Sequence, residues 1–287
     1  MNSNVRHLLV TLVLGMGAAL ALVWALGGQS LPVAAAPVAT PRYVDDATGS
    51  DDSACSDPGD PCQTIQFAVD VADDGDEILV AAGTYTGVNV RPCDDITTTG
   101  VVTQVVYVSK TVTIRGGYTA AFTNPPDPEA NQTTLDAQGQ GRVFYVVGPS
   151  AGSGQVISLT LEGLRVTGGD ATGLGGDPWY DDAGGGIYVY TATATIGNCV
   201  VYSNTASTTG TGAGGGLSLY GSAATLSGNT VQDNVASTAD WAVGGGIQLW
   251  KSSVTLIGNT VQSNTAGTSS IVTVAQSEGR CFKRLQI

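Results

Sequence analysis

The chain has 287 residues, 42% hydrophobic and only 12% charged, with 24 acidic side chains against 11 basic ones and a net charge of −13. A surface this acidic repels nucleic acid and anionic membranes, which excludes both as partners. The single histidine, His7, sits near the N-terminus, so the rest of the chain has no imidazole for base or nucleophile chemistry.

Residues 1–35 come first. Arg6 and His7 precede an apolar run from Leu8 to Leu26 and a small-residue exit at Val33–Pro37, the pattern of a secretory signal peptide with cleavage near Ala35 or Ala36. The same run is long enough to stay as an N-terminal anchor. Both readings export the remainder, secreted or on the cell surface, and cleavage leaves no membrane span in the mature chain. Removing the leader takes away Arg6 and no acid, leaving 24 acids against 10 bases (11 − 1), a net charge near −14.

Residues 36–61, rich in Pro, Asp and Ser, read as an acidic linker running into an extended segment. Cys55 and Cys62, seven apart in an exported chain, predict a disulfide, with Cys93 as a competing partner. Thr64 to about Ala72 reads as the one convincing helix: Thr64 caps it, Ile65, Ala68 and Val69 share a face, and Gly75 ends it. Its expected role is to plug one end of a stack of strands whose open edge would otherwise recruit other chains.

From residue 184 the chain repeats at an interval of 30. "GGGIYVY" at Gly184 returns as "GGGLSLY" at Gly214 and "GGGIQLW" at Gly244. Val201, Val231 and Val261 fall in one column, and Asn204, Asn234 and Asn264 in another. A fixed period of this size marks a solenoid or propeller. Gly, Thr, Val and Asn content with period-two apolar residues excludes helical repeats. A propeller blade needs about 40 residues, and the RTX nonapeptide pattern fails because the glycine clusters do not recur every nine residues. One coil of a parallel β-helix fits: three short strands, each about 4.8 Å from its equivalent in the next coil. The valines should then stack in the core. The asparagines should stack at a turn, where Asn tolerates left-handed dihedrals and its amide bonds along the column. The stretches "STTGTGA" and "STADWAV" read as loops on one edge.

These repeats resemble those of right-handed parallel β-helix proteins of the pectate-lyase-like superfamily, and are similar to the repeats of polymorphic outer-membrane proteins, with Gly and Val replacing the usual Ala and Phe. Upstream, "TIQFAVDVADDGDEILVAAGTYTG", "VTIRGGY" and "TTLDAQGQGRVFYV" resemble the early coils of such proteins. The resemblance implies an all-β fold, a single-stranded right-handed parallel β-helix with a short N-terminal capping helix, spanning residues 62–273. It leaves activity open, because the superfamily holds lyases, hydrolases, adhesins and structural domains.

Hydrolysis on this fold would need two carboxyl groups on adjacent coils. The outward ladders of the repeats read Tyr188/Ser218/Gln248, Thr195/Thr225/Thr255 and Tyr202/Gln232/Gln262, none with a carboxylate pair. Lyase chemistry would need an arginine base beside bound calcium, and no arginine occurs between Arg165 and Arg280. The repeats therefore read as non-catalytic. Two candidate sites remain. The loop Gly168–Gly186 gathers Asp170, Asp177, Asp181 and Asp182 with Trp179 and Tyr180, an oxygen-rich set suited to calcium; the bland alternative is a solvated acidic loop. The column Tyr190/Tyr220/Trp250 should face outward, either as a strip for glycan stacking or as cross-strand packing. Cys199, in the column of Asn229 and Asn259, reads as a turn or core thiol, and no Cys/His cluster suggests zinc.

The tail 274–287, with Cys281, matches nothing before it and reads as a cap or as an altered or truncated end. The sequence thus points to a secreted or cell-surface module without catalysis, for adhesion, glycan binding or scaffolding. The alternatives are a polysaccharide lyase or glycoside hydrolase of the same fold, and a stalk or passenger part of a larger surface protein.

Overall fold

The computed structural model describes residues 39–94, 99–149, 155–176, 182–267, 274–277 and 285–286. Residues 1–35, which the sequence reads as a signal peptide or anchor, lie outside the described residues, as do Asp177, Trp179 and Asp181. The chain folds as a right-handed parallel β-helix. Each coil visits three long sheets in turn, and neighbouring coils pair through parallel strands.

Among the described residues, sheet I runs through Asn89–Asp94, Thr99–Val108, Arg142–Val147, Ile187–Tyr190, Leu217–Tyr220, Ile247–Trp250 and Val274–Ser277. Sheet II runs from Pro41–Val44 through Asp76–Ala81, Val112–Tyr118, Ser158–Glu162, Thr193–Gly197, Ala223–Ser227 and Ser253–Ile257 to Leu285–Gln286. Sheet III runs from Gly83–Tyr85 through Thr133–Asp136, Leu164–Thr167, Val200–Tyr202 and Thr230–Gln232 to Thr260–Gln262. Apart from the hairpin Asn89–Asp94/Thr99–Val108, every pairing of these strands is parallel.

The 30-residue period is the register itself. Val201 pairs with Val231 and Val231 with Val261. The first two are buried and the third partly so, within the core that fills the tube. Alternation does the rest, because every second strand residue points inward. In the repeat coils each turn between sheets follows one recipe: a residue with positive φ, then a residue whose backbone N–H bonds to the inward side chain of the next rung. At the turn into sheet II these are Thr191 and Lys251, followed by Ala192 and Ser252; at the turn into sheet III, Asn198 is followed by Cys199. After sheet III they are Ser203, Asp233 and Ser263, followed by Asn204, Asn234 and Asn264. The left-handed residue is thus the one before each laddered asparagine. The asparagine is left free to turn its amide into the core.

That amide has much to satisfy. Asn204 Nδ2 donates to Asn234 Oδ1 (3.0 Å) and to Val166 O (3.1 Å), and Asn234 Nδ2 donates to Asn264 Oδ1 (2.9 Å) and Val201 O (2.9 Å). The backbone N–H of each rung also donates to the next Oδ1. Asn229 and Asn259 form a second ladder, which Cys199 joins through its backbone N–H, and Ser222 and Ser252 form a third. A net gain of about 1 kcal/mol per bond is modest, but a buried amide left without one would cost about 1–3 kcal/mol.

The glycine triplets have a steric reason. Gly184, Gly214 and Gly244 have φ near +60°. A Cβ on Gly185 would lie 2.1 Å from Thr205 O, and one on Gly215 2.2 Å from Val235 O. The chain passes here against a lateral layer outside the three main sheets. It is built from Asp182–Ala183, Gly212–Ala213 and Ala242–Val243, with Thr205–Ser207 pairing Val235–Ser237. The stretches read from sequence as edge loops are therefore partly strands.

At the N-terminal end, Cys55 and Cys62 are disulfide-bonded. Their loop closes the free edge of Pro41–Val44 through Tyr43 N–Cys55 O (2.7 Å), Cys62 N–Tyr43 O (2.9 Å) and Asp45 N–Cys62 O (2.9 Å). Helix α1, Ile65–Val71, follows with Thr64 Oγ1 accepting from Phe67 N, and it buries Ile65, Ala68 and Val69 against the first coil. Lys110 Nζ donates to the carbonyls of Asp70 and Ala72 at its far end. At the other end, Val274–Ser277 pairs with Ile247–Trp250 and Leu285–Gln286 with Leu256–Ile257. The tail thus extends two sheets despite its unrelated sequence, and its first strand comes 27 residues after its partner rather than 30.

Candidate functional site

The outer face of sheet I carries the aromatic residues. Tyr107, Tyr145, Tyr188, Ser218 and Gln248 share one column, with ring centroids 5.8 Å apart for the first pair and 5.3 Å for the second. Val147, Tyr190, Tyr220 and Trp250 share the other, with Tyr190 and Tyr220 stacked at 5.4 Å. The sequence leaves the second column as either a glycan-stacking strip or cross-strand packing. The column faces outward, but Tyr190 is 7% exposed and Tyr220 9%, and Trp250 is partly buried. Ala183 and Ala213 of the lateral layer pack on these rings, with Val243 at the margin. A glycan cannot stack on rings already covered by protein, so the column is packing between two layers.

Beneath the same layer lies Arg142, fully buried, its Cζ 5.3 Å from the Tyr145 ring centroid and 5.2 Å from that of Tyr188. Its Nε donates to Ala183 O (2.9 Å) and its Nη2 to Gly175 O, while Tyr188 Oη donates to Gly176 O. The guanidinium and the phenol thus hold both sides of the loop where Gly176 and Asp182 bridge. Asp182, 9% exposed, accepts from Ser207 Oγ (2.7 Å) and Gly175 N (3.2 Å). Asp170 accepts from the backbone N–H and hydroxyl of Thr172. Both carboxylates are thus engaged by donors of the loop and the lateral layer. Among the described residues no three His, Cys, Asp or Glu side chains converge as a metal set.

The charged cluster that sequence reasoning missed lies on the outer face of sheet II. Arg115 on Val112–Tyr118 bonds Glu77 on Asp76–Ala81 and, at 2.9 Å, Glu162 on Ser158–Glu162. One charge comes from each of three successive coils, and all three side chains are about a third exposed. Burial opposes the Arg115 charge, but the bonds it donates to Glu162 and Tyr118 and the charges of both glutamates hold its pKa above the ordinary value. The two carboxylates belong to strands on either side of the Arg115 strand, and so not to adjacent coils. Here both are already bonded to one guanidinium, which makes the group an ion-pair staple. Parity counting on "DEILVA", "VTIRGGY" and "SLTLE" gives the outward positions, but irregular coil lengths hide which of them meet.

Cys199, read from the sequence as a turn or core thiol, is closed off. It is 1% exposed and burial pushes its thiol up to about 12, so it carries no thiolate near neutral pH. No described helix is long and apolar enough to cross a membrane.

A family model described as a right handed beta helix region matches residues 158–280. A solved structure of a rhamnogalacturonan lyase is similar at 17% identity, with a TM-score of 0.41 and 86% of this chain covered. The chain spans 64% of that lyase's length. No curated protein matches the chain. A likeness this distant assigns no activity.

Proposed function

We propose that the chain is an exported, non-catalytic β-helix module that works as an extracellular scaffold and offers its uncovered faces to a glycan or cell-surface partner. One observation carries this reading. In the three repeat coils the outward strand positions of sheets II and III hold hydroxyl, amide, tyrosine or aliphatic side chains: Thr195, Thr225 and Thr255 on one, Tyr202, Gln232 and Gln262 on the other. These ladders carry no carboxylate, imidazole, thiol or amine. The test is a glycan array probed with the exported chain, with and without calcium because Asp170, Asp177, Asp181 and Asp182 crowd one loop. Saturable binding without new reducing ends or unsaturated-uronate absorbance is the expected result. Product release would replace this reading.

A polysaccharide-active enzyme is the second reading, and the partly exposed Glu162 on the outer face of sheet II is its carboxylate candidate. It requires Glu162→Gln to abolish any product release while leaving the melting temperature nearly unchanged.

A further inference from the structure

Between the capping segment and the first coil lies a cleft of about 180 Å³. It is lined by Asp46, Gln63, Thr84 and Thr86, with Ile65 and Val105 on its apolar side. That volume is several times the roughly 30 Å³ share of a water molecule and below the about 300 Å³ at which drug-sized pockets begin. It suits one small ring. Its polar groups are also unspent. The Asp46 carboxylate takes one long hydrogen bond, from Thr84 N at 3.3 Å, and has no cation partner among the described residues. The side chains of Gln63, Thr84 and Thr86 make no hydrogen bond among the described residues.

The neighbouring polar groups are otherwise engaged. Asp51 takes the N–H groups of Gln63 and Thr64 and the Thr64 hydroxyl, and Gln66 is bonded to Asp70 and the Tyr107 backbone. The Asp51 carboxylate thus already sits at the start of helix α1 and repels an anion there. The walls are built to hold the carboxylate in place, because a Cβ on Gly83 would lie 2.3 Å from Asp46 Oδ1.

A lone carboxylate, a carboxamide and two hydroxyls beside an aliphatic wall fit a polyhydroxylated ring bearing one positive charge. The chain's net charge of −13 draws the same ligand. We infer that this cleft binds the free-amine form of an amino sugar, with its ammonium on Asp46 and its hydroxyls on Gln63, Thr84 and Thr86. The inference stands apart from the scaffold reading, which concerns the coils, and either can fail without the other.

The experiment uses ligand-observed NMR on the exported chain with glucosamine, N-acetylglucosamine and glucose, at a pH where the amine is protonated. Saturable glucosamine binding is expected, with both neutral sugars roughly tenfold weaker, the size of one hydrogen bond to a charged group. Asp46→Asn should bring glucosamine to the level of glucose. Gly87→Leu should abolish binding with the melting curve unchanged, because a Cβ there meets nothing within 4 Å. Equal binding of the three sugars, no saturation by glucosamine, or binding retained in Gly87→Leu would each overturn the inference.

Discussion

The first three coils and the last three solve one problem by different means. Stacked strands must be held in register, since a slip of one residue would turn the core face outward. The repeat coils do this from inside. Asn204, Asn234 and Asn264, then Asn229 and Asn259, then Ser222 and Ser252, bond along the axis at the three turns. The early coils have no such columns and are fastened from outside. Glu77, Arg115 and Glu162 bridge three strands, and Leu79, Ala81, Tyr118 and Phe122 form a separate apolar cluster on the outer side of sheet II with Tyr43. Equal coil lengths permit ladders, because identical positions lie over one another. Unequal coils can only be matched by pairs that happen to meet.

That difference can be broken at four places. The largest effect is expected for Val231→Asp, which places an unpaired carboxylate in the apolar column between Val201 and Val261 and should cost roughly 3 kcal/mol or more. Denaturant unfolding measures it, and a variant as stable as the parent would disprove the register.

Next is Asn234→Ala. It removes the acceptor of Asn204 N and Nδ2 and the donor to Val201 O, so about 2 kcal/mol should be lost. The loss should exceed that of any single change in the Glu77–Arg115–Glu162 group, and the reverse order would reverse the comparison drawn above.

A third test is acid. Burial raises the pKa of Asp76, but hydrogen bonds from Thr40 N and Asp73 N and the bonded Arg42 guanidinium outweigh it, so the pKa is held below its ordinary value. A carboxyl depressed in the folded state stabilises fully above its unfolded pKa near 4, and that stability is lost as pH falls through the folded value. Melting curves from pH 5 downward should therefore lose stability less steeply in Asp76→Asn than in the parent, from a lower starting point. Parallel acid limbs would show that Asp76 contributes nothing there.

The smallest effect belongs to Glu162→Gln. A partly exposed pair is worth about 0–1 kcal/mol and is screened by salt. Its effect on the melting temperature should shrink further in high salt, whereas the cost of Asn234→Ala should not.

The sequence by itself determined whatever follows from equal spacing or from neighbours in the chain. The 30-residue period fixed the strand register and the valine and asparagine columns, because stacking turns sequence interval into spatial contact. Thr64 and the face of Ile65, Ala68 and Val69 marked the capping helix, and the seven-residue separation of Cys55 and Cys62 matched the disulfide, since these are short-range relations. Only the tertiary structure decided what covers what. Tyr190 and Tyr220 face outward as their parity requires, yet they are buried because the variable stretches fold back as a second layer over sheet I. Arg142 is drawn under that layer because the loop carbonyls of Gly175 and Ala183 accept hydrogen bonds from its guanidinium. Glu77, Arg115 and Glu162 meet because coils of unequal length close to the same circumference, a matter of where the chain makes its turns and not of any interval between the residues.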